Sequence, residues 1–190
     1  MSKQLIEGEI FNNINYTEKQ LIKGDYENCQ FINCDLSNVD LSNFNFIECT
    51  FDSCNLSMCK LANTGIKEVT FNDCKMLGLH FQHCSEFLFE IEINNCQLNL
   101  SSFYRRKLKK TNFRNSILHE VDFVEADLTM AIFDHCDLQG ALFERSILEK
   151  ADFRTAKNYR IDPEINRIKK AKFSIPEVVG LLNKYDITIQ

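Results

Sequence analysis

Features of enzymes and of membrane proteins are missing from this 190-residue sequence. No apolar run is long enough to span a membrane, and Met1–Glu7 lacks the apolar core of a signal peptide. The six glycines are scattered, so they form no phosphate-cradling loop. No nucleophile with its base and no set of metal ligands is recognisable. We therefore expect a cytoplasmic, non-enzymatic protein of one domain, without cofactor or metal.

The dominant pattern is a large apolar residue at every fifth position, here called position i. One series runs from Tyr26 to Phe81, and after a slip of two residues another runs from Leu98 to Phe153. Position i−2 holds mostly small or modestly sized residues, and the other positions are mostly polar. A period of five matches neither the period of a helix, about 3.6, nor the period of a flat strand, about 2. It predicts a chain that turns a corner every five residues.

Four such sides would close a square coil of twenty residues, because residues i and i−2 of extended backbone point to the same side. The interval of twenty recurs in a column of phenylalanines. This column comprises Phe11, Phe31, Phe51 and Phe71, then Phe113, Phe133 and Phe153. The pattern predicts an all-β protein, a square parallel β-solenoid.

Several five-residue units carry a family resemblance. The segments Cys34–Asn38, Ala126–Met130, Cys136–Gly140 and Ala151–Thr155 read CDLSN, ADLTM, CDLQG and ADFRT. They resemble the A(D/N)LXX motif of the pentapeptide repeat family, over about residues 24–158. The resemblance implies a right-handed quadrilateral parallel β-helix. We expect residues 1–23 to form an irregular first coil that caps its N-terminal end.

All cysteines of the chain fall at position i−2. They are Cys29, Cys34, Cys49, Cys54, Cys59, Cys74, Cys84, Cys96 and Cys136. We predict that they act as small buried hydrophobes beside the Phe and Leu side chains, not as disulfides or metal ligands. Oxidation between neighbouring coils is the alternative.

The two-residue slip lies near residues 85–95, where Phe87, Leu88 and Phe89 offer two competing inward registers. A bulge at one corner is the simplest interpretation. We favour burial of Phe87 and Phe89 in the shifted coil. If the bulge leaves either of them outside, that side chain would offer an apolar contact to a partner.

Residues 159–190 form a C-terminal segment of different character, which should cap the last coil. Ser174–Glu177 reads as a capping box with Pro176 in the first turn, which predicts a short α-helix at about residues 175–185. This helix is more apolar than a solvated helix requires, which favours a symmetric dimer. The candidate dimer interface comprises Phe173, Val178, Val179, Leu181, Leu182, Tyr185, Ile187 and Ile189.

The C-terminal segment also narrows the resemblance. Asn158–Asn166 and Lys169–Glu177 are similar to the ends of Qnr- and MfpA-like pentapeptide repeat proteins. That resemblance implies a homodimer, joined through the C-terminal helix, whose acidic rod imitates B-form DNA. Such a rod would occupy the DNA-binding saddle of DNA gyrase or topoisomerase IV and give resistance to quinolones or gyrase-directed toxins. An interaction scaffold of the same fold with an unrelated partner is the alternative.

Outward carboxylates on successive coils are the candidates for an acidic interaction surface, because a row of negative charge is attracted to a basic DNA-binding surface. They are Asp35, Asp40, Glu48, Asp52, Asp73, Asp122, Glu125, Asp127, Asp134 and Asp137. The alternative is that these residues are ordinary solvated positions of the repeat.

Charge is distributed unevenly along the chain. Residues 1–97 include 14 acidic and 6 basic side chains, whereas residues 98–158 include 9 acidic and 10 basic side chains. A basic belt in the second half comprises Arg105, Arg106, Lys107, Lys109 and Lys110. The belt could bind phosphate, pair with acids of adjacent coils or be solvated, and direct nucleic-acid binding is not expected. Arg106 falls at an inward position, which is costly unless its charged end escapes or is paired.

Overall fold

The structure of the chain, a computed structural model, describes residues 4–185 together with residues 187 and 188. This part of the chain contains thirteen short strands and three 3₁₀ turns. The strands are β1 (Gln4–Glu7), β2 (Ile10–Asn12), β3 (Gly24–Glu27), β4 (Gln30–Ile32), β5 (Asn45–Ile47), β6 (Thr50–Asp52), β7 (Gly65–Lys67), β8 (Val69–Asn72), β9 (Ile91–Asn94), β10 (Asn112–Arg114), β11 (Ile132–Asp134), β12 (Asp152–Phe153) and β13 (Lys172–Phe173). The 3₁₀ turns span Phe81–His83, Val178–Leu181 and Asn183–Tyr185. Within the described residues, no helix is both long and apolar enough to cross a membrane.

The strands form two parallel sheets, ordered β1-β3-β5-β7 and β13-β12-β11-β10-β9-β8-β6-β4-β2. In the longer sheet, Phe31 pairs with Phe11 on one side and with Phe51 on the other, twenty residues away in each direction. Phe71 pairs with Ile93, so that coil contains two extra residues. The predicted all-β parallel solenoid is therefore confirmed, and the paired strands of the longer sheet are twenty residues apart except at this coil.

Side chains at positions i and i−2 fill the axis of the solenoid. The rings of Phe31 and Phe51 stack with centroids 4.6 Å apart, and those of Phe113 and Phe133 stack at 5.0 Å. Each such pair adds about 0.5–1.5 kcal/mol beyond the burial of its area. All nine cysteines are free thiols and are buried beside these columns, which confirms their predicted inward position.

The corners of the coil place position i+2 in left-handed backbone. Asn33 (φ 51°) and Asn38 (φ 61°) are examples. The turn is closed by a backbone hydrogen bond, such as the one from the N–H of Val39 to the carbonyl of Leu36 at 3.0 Å. Asparagine recurs at these corners because it adopts this conformation more readily than most residues with a side chain.

The slip forms a bulge at residues 85–90. Phe87 is 78% exposed, so the favoured burial of this side chain is wrong. Phe89 is half-buried. Ile91 and Ile93 take the inward positions instead, because they pair in register with the preceding coil and continue its buried columns.

The predicted α-helix at residues 175–185 is also wrong, because the segment forms two 3₁₀ turns. The N–H of Leu182 bonds to the carbonyl of Val179, three residues back, where an α-helix would use the carbonyl four residues back. The carbonyl of Gly180 accepts a hydrogen bond from the N–H of Ile161 at 3.1 Å. The carbonyl of Gly180 therefore bonds to the last coil of the solenoid instead of to an N–H of its own segment, and the α-helical bonding pattern is interrupted there.

The predicted capping box is not formed either. The carboxylate of Glu177 accepts a hydrogen bond from the N–H of Asn158 at 3.1 Å instead of capping Ser174. Gly180 is buried, and a Cβ on it would collide with the carbonyl oxygen of Tyr159. The C-terminal segment thus uses its polar and backbone groups to attach to the last coil.

Candidate interaction surface

The ten predicted acidic residues do not line up on one face. Asp35 and Asp137 share one column of cross-coil bridges. The column between them holds Asn55, Lys75, Gln97 and Ile117. Asp40 is followed on the next coil by Lys60, and Asp127 is preceded by Lys107. The solenoid therefore distributes these carboxylates over its four faces and corners and builds no uninterrupted acidic ladder.

Acidic residues of the second half are ion-paired across coils. Glu125 lies 2.6 Å from Arg105 of the preceding coil and 3.0 Å from Arg145 of the following one. The hydrogen bond from Arg105 lowers the pKa of Glu125. Lys109 lies 3.2 Å from Asp127. Further cross-coil pairs join Arg114 to Asp134 (3.6 Å), Lys157 to Asp137 (3.6 Å) and Arg167 to Glu149 (2.7 Å).

The sequence interpretation did not identify these pairs individually, although a signal for them exists. Arg105, Glu125 and Arg145 are separated by twenty residues each. In a coil of twenty residues, opposite charges at that interval are neighbours on adjacent coils, about 4.8 Å apart along the axis. A search for opposite charges at the repeat interval would have found them.

The five predicted acidic residues of the first half differ in their ion pairing from those of the second half. Asp35, Asp40, Glu48, Asp52 and Asp73 form no ion pair with another residue of the described chain. Asp35 and Asp40 each accept a hydrogen bond at 2.9 Å from the N–H two residues on. Hydrogen bonds from Ser42 lower the pKa of Asp40. Free negative charge is therefore concentrated on the N-terminal half of the solenoid.

The basic belt divides into three environments. Arg105 and Lys109 are paired with acids of the next coil, as described above. Lys107 and Lys110 are exposed and form no ion pair with another described residue. Arg106 is only 4% exposed. The belt is thus no uniform cationic strip, and its two free lysines lie beside the bulge at residues 85–90.

Arg106 holds that bulge in place. Its Nη1 donates a hydrogen bond to the carbonyl of Cys84 at 3.1 Å, and its Nη2 donates one to the carbonyl of Ser85 at 2.8 Å. The guanidinium carbon lies 4.0 Å from the ring centroid of Phe89. Burial lowers the pKa of Arg106. Pairing with two backbone carbonyls and one aromatic face offsets part of the cost of an inward cation. The Nε of Arg106 is buried without a hydrogen-bond partner in the described chain.

The predicted dimer-interface residues fall into three groups. Phe173 continues the buried column, with its ring centroid 5.4 Å from that of Phe153. Leu181 and Leu182 are half-buried. Val178, Val179, Tyr185 and Ile187 are exposed by 37%, 41%, 48% and 57%. Ile189 lies outside the described residues.

Several buried thiols, among them Cys49 and Cys59, are protonated at neutral pH. Burial raises the pKa of Cys49 to about 11 and that of Cys59 to about 12. A thiol with a raised pKa is protonated and unreactive at neutral pH. No group of three or more His, Cys, Asp or Glu side chains in residues 4–185 is placed to hold a metal ion.

These features define a β-solenoid whose chemistry lies in its exposed charges and apolar patches. Two family models match the sequence: the pentapeptide repeat region at residues 25–103, and pentapeptide repeats (8 copies) at residues 96–134 and 122–157. The chain belongs to the pentapeptide repeat family. No curated protein matches it.

Solved structures extend the likeness over the whole chain. A trypsin-treated form of QnrB1, a plasmid-mediated fluoroquinolone resistance protein, is similar at a TM-score of 0.63 and 18% identity, covering 100% of this chain and 99% of that one. Full-length QnrB1 is similar at a TM-score of 0.53 and 19% identity, and the match covers 97% of this chain and 100% of that one. A third structure is that of HetL, a pentapeptide repeat protein from a Nostoc cyanobacterium that is involved in heterocyst differentiation regulation. Its TM-score is 0.42 at 14% identity, and the match covers 92% of this chain and 88% of that one. At these identities the likeness establishes the fold alone.

Proposed function

We propose that this protein is a non-enzymatic DNA mimic that binds a type II topoisomerase, DNA gyrase or topoisomerase IV, and counteracts a quinolone or gyrase-directed toxin. The observation that carries the proposal is the unpaired acidic set of the N-terminal half, Asp35, Asp40, Glu48, Asp52 and Asp73, on a solenoid of the QnrB1 fold. Uncompensated carboxylates on a rigid rod attract a basic DNA-binding surface.

Homodimerisation through the C-terminal segment is part of this proposal. The exposed side chains of Val178, Val179 and Tyr185 support it, because each leaves apolar surface uncovered on the segment that attaches to the last coil. A dimer joined there would place the two acidic N-terminal halves at its outer ends. Both ends would then be free to approach a basic partner surface.

A supercoiling assay with purified gyrase tests the proposal, with and without ciprofloxacin. We expect the protein to inhibit or protect the enzyme, with binding that weakens as salt rises. A variant carrying Asp35→Asn, Asp40→Asn and Asp52→Asn should lose most of this effect. Asparagine keeps the side-chain oxygen that accepts the local N–H bonds, so the corners should remain intact.

The matched control changes the same number of charges at ion-paired positions, Glu125→Gln, Asp134→Asn and Asp137→Asn. This control should retain more of the gyrase effect than the N-terminal variant, because its carboxylates are already neutralised by neighbouring cations. Absence of binding, inhibition and protection by the natural protein would refute the proposal.

A scaffold with an unrelated partner is the second candidate function. It is favoured by the distribution of the ten acidic residues over all four faces, since a DNA-like surface requires a continuous row. A folded natural protein that binds neither gyrase nor topoisomerase IV would support this second candidate.

A further inference from the structure

A small cavity lies beside the bulge at residues 85–90. Its volume is about 40 Å³, and it is lined by residues of the bulge and of the following coil, namely Glu86, Phe89, Arg105, Arg106 and Lys107. A bound water molecule needs about 10–15 Å³ of cavity. The cavity therefore has room for about three groups of that size, which suits a carboxylate better than the larger, tetrahedral phosphate.

The bulge forms one side of this cavity and is anchored at both of its ends. The N–H of Ser85 donates to the carbonyl of Thr64 at 2.9 Å, and the N–H of Glu90 donates to the carbonyl of Ile66 at 3.1 Å. Residues 86–89 therefore loop out between two backbone anchors on the preceding coil. A loop that is held at both ends loses little further freedom when a ligand binds, so the cavity is largely preformed.

Arg106 carries a hydrogen-bond donor that the described chain leaves unused. Its two terminal nitrogens donate to the carbonyls of Cys84 and Ser85. Its Nε is also buried, but it has no hydrogen-bond partner among the described residues. A guanidinium group binds a carboxylate in parallel through Nε and one terminal nitrogen, because its N–H groups form a planar fork. A buried donor without a partner is costly, so a ligand that accepts this hydrogen bond is favoured.

The charges around the cavity favour an anion. Three of the lining residues are cationic, Arg105, Arg106 and Lys107, and Glu86 is acidic. Arg105 is neutralised by Glu125 at 2.6 Å. Lys107 and Glu86 are exposed, and neither forms an ion pair with another residue of the described chain. With the paired arginine set aside, two cations remain against one carboxylate, so the cavity keeps a net positive charge.

We propose that this cavity is a binding site for a carboxylate group, which accepts a hydrogen bond from the Nε of Arg106 and is attracted by Lys107. The planar guanidinium matches the planar carboxylate, which gives the site its preference over other anions. The carboxylate belongs either to a free small acid or to an acidic side chain of a partner protein, and the chemistry of recognition is the same. Glu86 lowers the affinity by repulsion. The site goes beyond the proposed function, which rests on none of these residues.

NMR spectroscopy of the Nε–H group of Arg106 in the full-length protein tests the site. Sodium formate replaces sodium chloride at constant ionic strength, so that the screening of surface charges stays the same. We expect the Nε–H signal of Arg106 to shift and to saturate, because formate accepts its hydrogen bond. Sodium phosphate should give no saturable shift. Absence of a saturable shift with formate would overturn the inference, and so would an equal shift with phosphate, which would show that charge alone is recognised.

Two matched pairs of variants locate the site. Glu86→Gln removes the carboxylate that lines the cavity and should lower the dissociation constant for formate about threefold or more, whereas Glu90→Gln, in the same bulge but outside the lining, should change it little. Lys107→Gln should raise the dissociation constant by a similar factor, whereas Lys110→Gln should not. Circular dichroism checks that all four variants fold. Equal effects within each pair would contradict the assigned position of the ligand.

A blocked tripeptide with glutamate at its centre distinguishes the two sources of the carboxylate. Binding of this peptide, but not of its glutamine counterpart, would support an acidic side chain of a partner, and binding of formate alone would support a free acid. If Glu86→Gln without added anion shifts the Arg106 signal as far as saturating formate does, Glu86 itself fills the cavity and the inference is overturned. None of these measurements involves gyrase, so failure of the site and failure of the proposed function are distinguishable.

Discussion

The guanidinium carbon of Arg106 lies 4.0 Å from the ring centroid of Phe89, in the bulge at residues 85–90. In the following coils, the position of Arg106 is occupied by Ala126 and Ser146, both small and buried. A long cationic side chain is accommodated there because the bulge one coil earlier offers two backbone carbonyls and a ring face. The inward arginine and the two-residue slip are therefore two parts of one local structure.

Removing this arginine should destabilise the solenoid. Arg106→Ala leaves the carbonyls of Cys84 and Ser85 without their charged donor and opens a cavity, so we expect a loss of about 2–4 kcal/mol in the free energy of unfolding. Urea unfolding followed by circular dichroism measures it. Arg105→Ala is the matched control, because that side chain is exposed and water screens its ion pair with Glu125, so its removal should change stability little. Equal midpoints for the two variants would contradict the assigned role of Arg106.

The stacked phenylalanine columns should carry a large share of the stability. Phe123 is fully buried, with ring centroids 5.4 Å from Phe103 and 5.2 Å from Phe143. We expect Phe123→Ala to cost about 3–5 kcal/mol, by cavity formation and loss of two ring contacts. Thermal and urea unfolding provide the measurement. Ile175→Ala is the control: Ile175 is 89% exposed, so its substitution should change stability little. A small effect of Phe123→Ala would contradict a close-packed axis.

The repeat was predictable from the sequence because one rule applies along most of the chain: positions i and i−2 of every five-residue unit point inward. Phe31 stacks on Phe51 because the coil between them contains twenty residues, as most coils do. A large residue in another phase of the repeat would face water. The rule also places Cys34 and Cys54 inward without any knowledge of their chemistry. A period that fixes direction and neighbours in this way determines the fold of most of the chain.

Where the period is broken, local rules compete and the sequence is ambiguous. Phe87 and Phe89 had two acceptable inward registers, and the outcome depends on Arg106, whose contacts are tertiary. The capping pattern Ser174–Glu177 is a valid helix signal, but the N–H of Asn158 binds the Glu177 carboxylate instead. The prediction of the acidic surface was incomplete because it considered each carboxylate alone. Which carboxylates are neutralised depends on the cations of adjacent coils, and those neighbours follow from the exact coil length.

The buried thiols should make the fold sensitive to alkaline pH. Burial raises the pKa of Cys49 to about 11 and those of Cys59 and Cys136 to about 12, from an ordinary 9.0. The unfolded chain would ionise these thiols above about pH 9 while the folded chain keeps them protonated, so stability is complete below that pH and falls as pH rises toward about 12. Each thiol contributes a slope of up to about 1.4 kcal/mol per pH unit.

Urea midpoints between about pH 8 and pH 9 measure this slope, below the ordinary pKa of tyrosine, which is about 10. Replacing Cys59 and Cys136 by alanine should reduce the slope, although it lowers stability at all pH values. A midpoint independent of pH over this range would contradict the burial of the thiols.

Attachment of the C-terminal segment should depend on Gly180. A Cβ at this position would lie 2.8 Å from Cδ2 of Tyr159 and would collide with its carbonyl oxygen, which is backbone and cannot rotate away. We therefore expect Gly180→Ala to displace residues 178–185 from the last coil while the repeat stays folded. Hydrogen exchange should show lost protection at the N–H of Ile161, which donates to the carbonyl of Gly180. Val179→Ala, at an exposed neighbouring position, should leave that protection intact. Unchanged exchange at Ile161 in the Gly180→Ala protein would show that the segment tolerates a side chain there, and that its close approach to Tyr159 does not hold it in place.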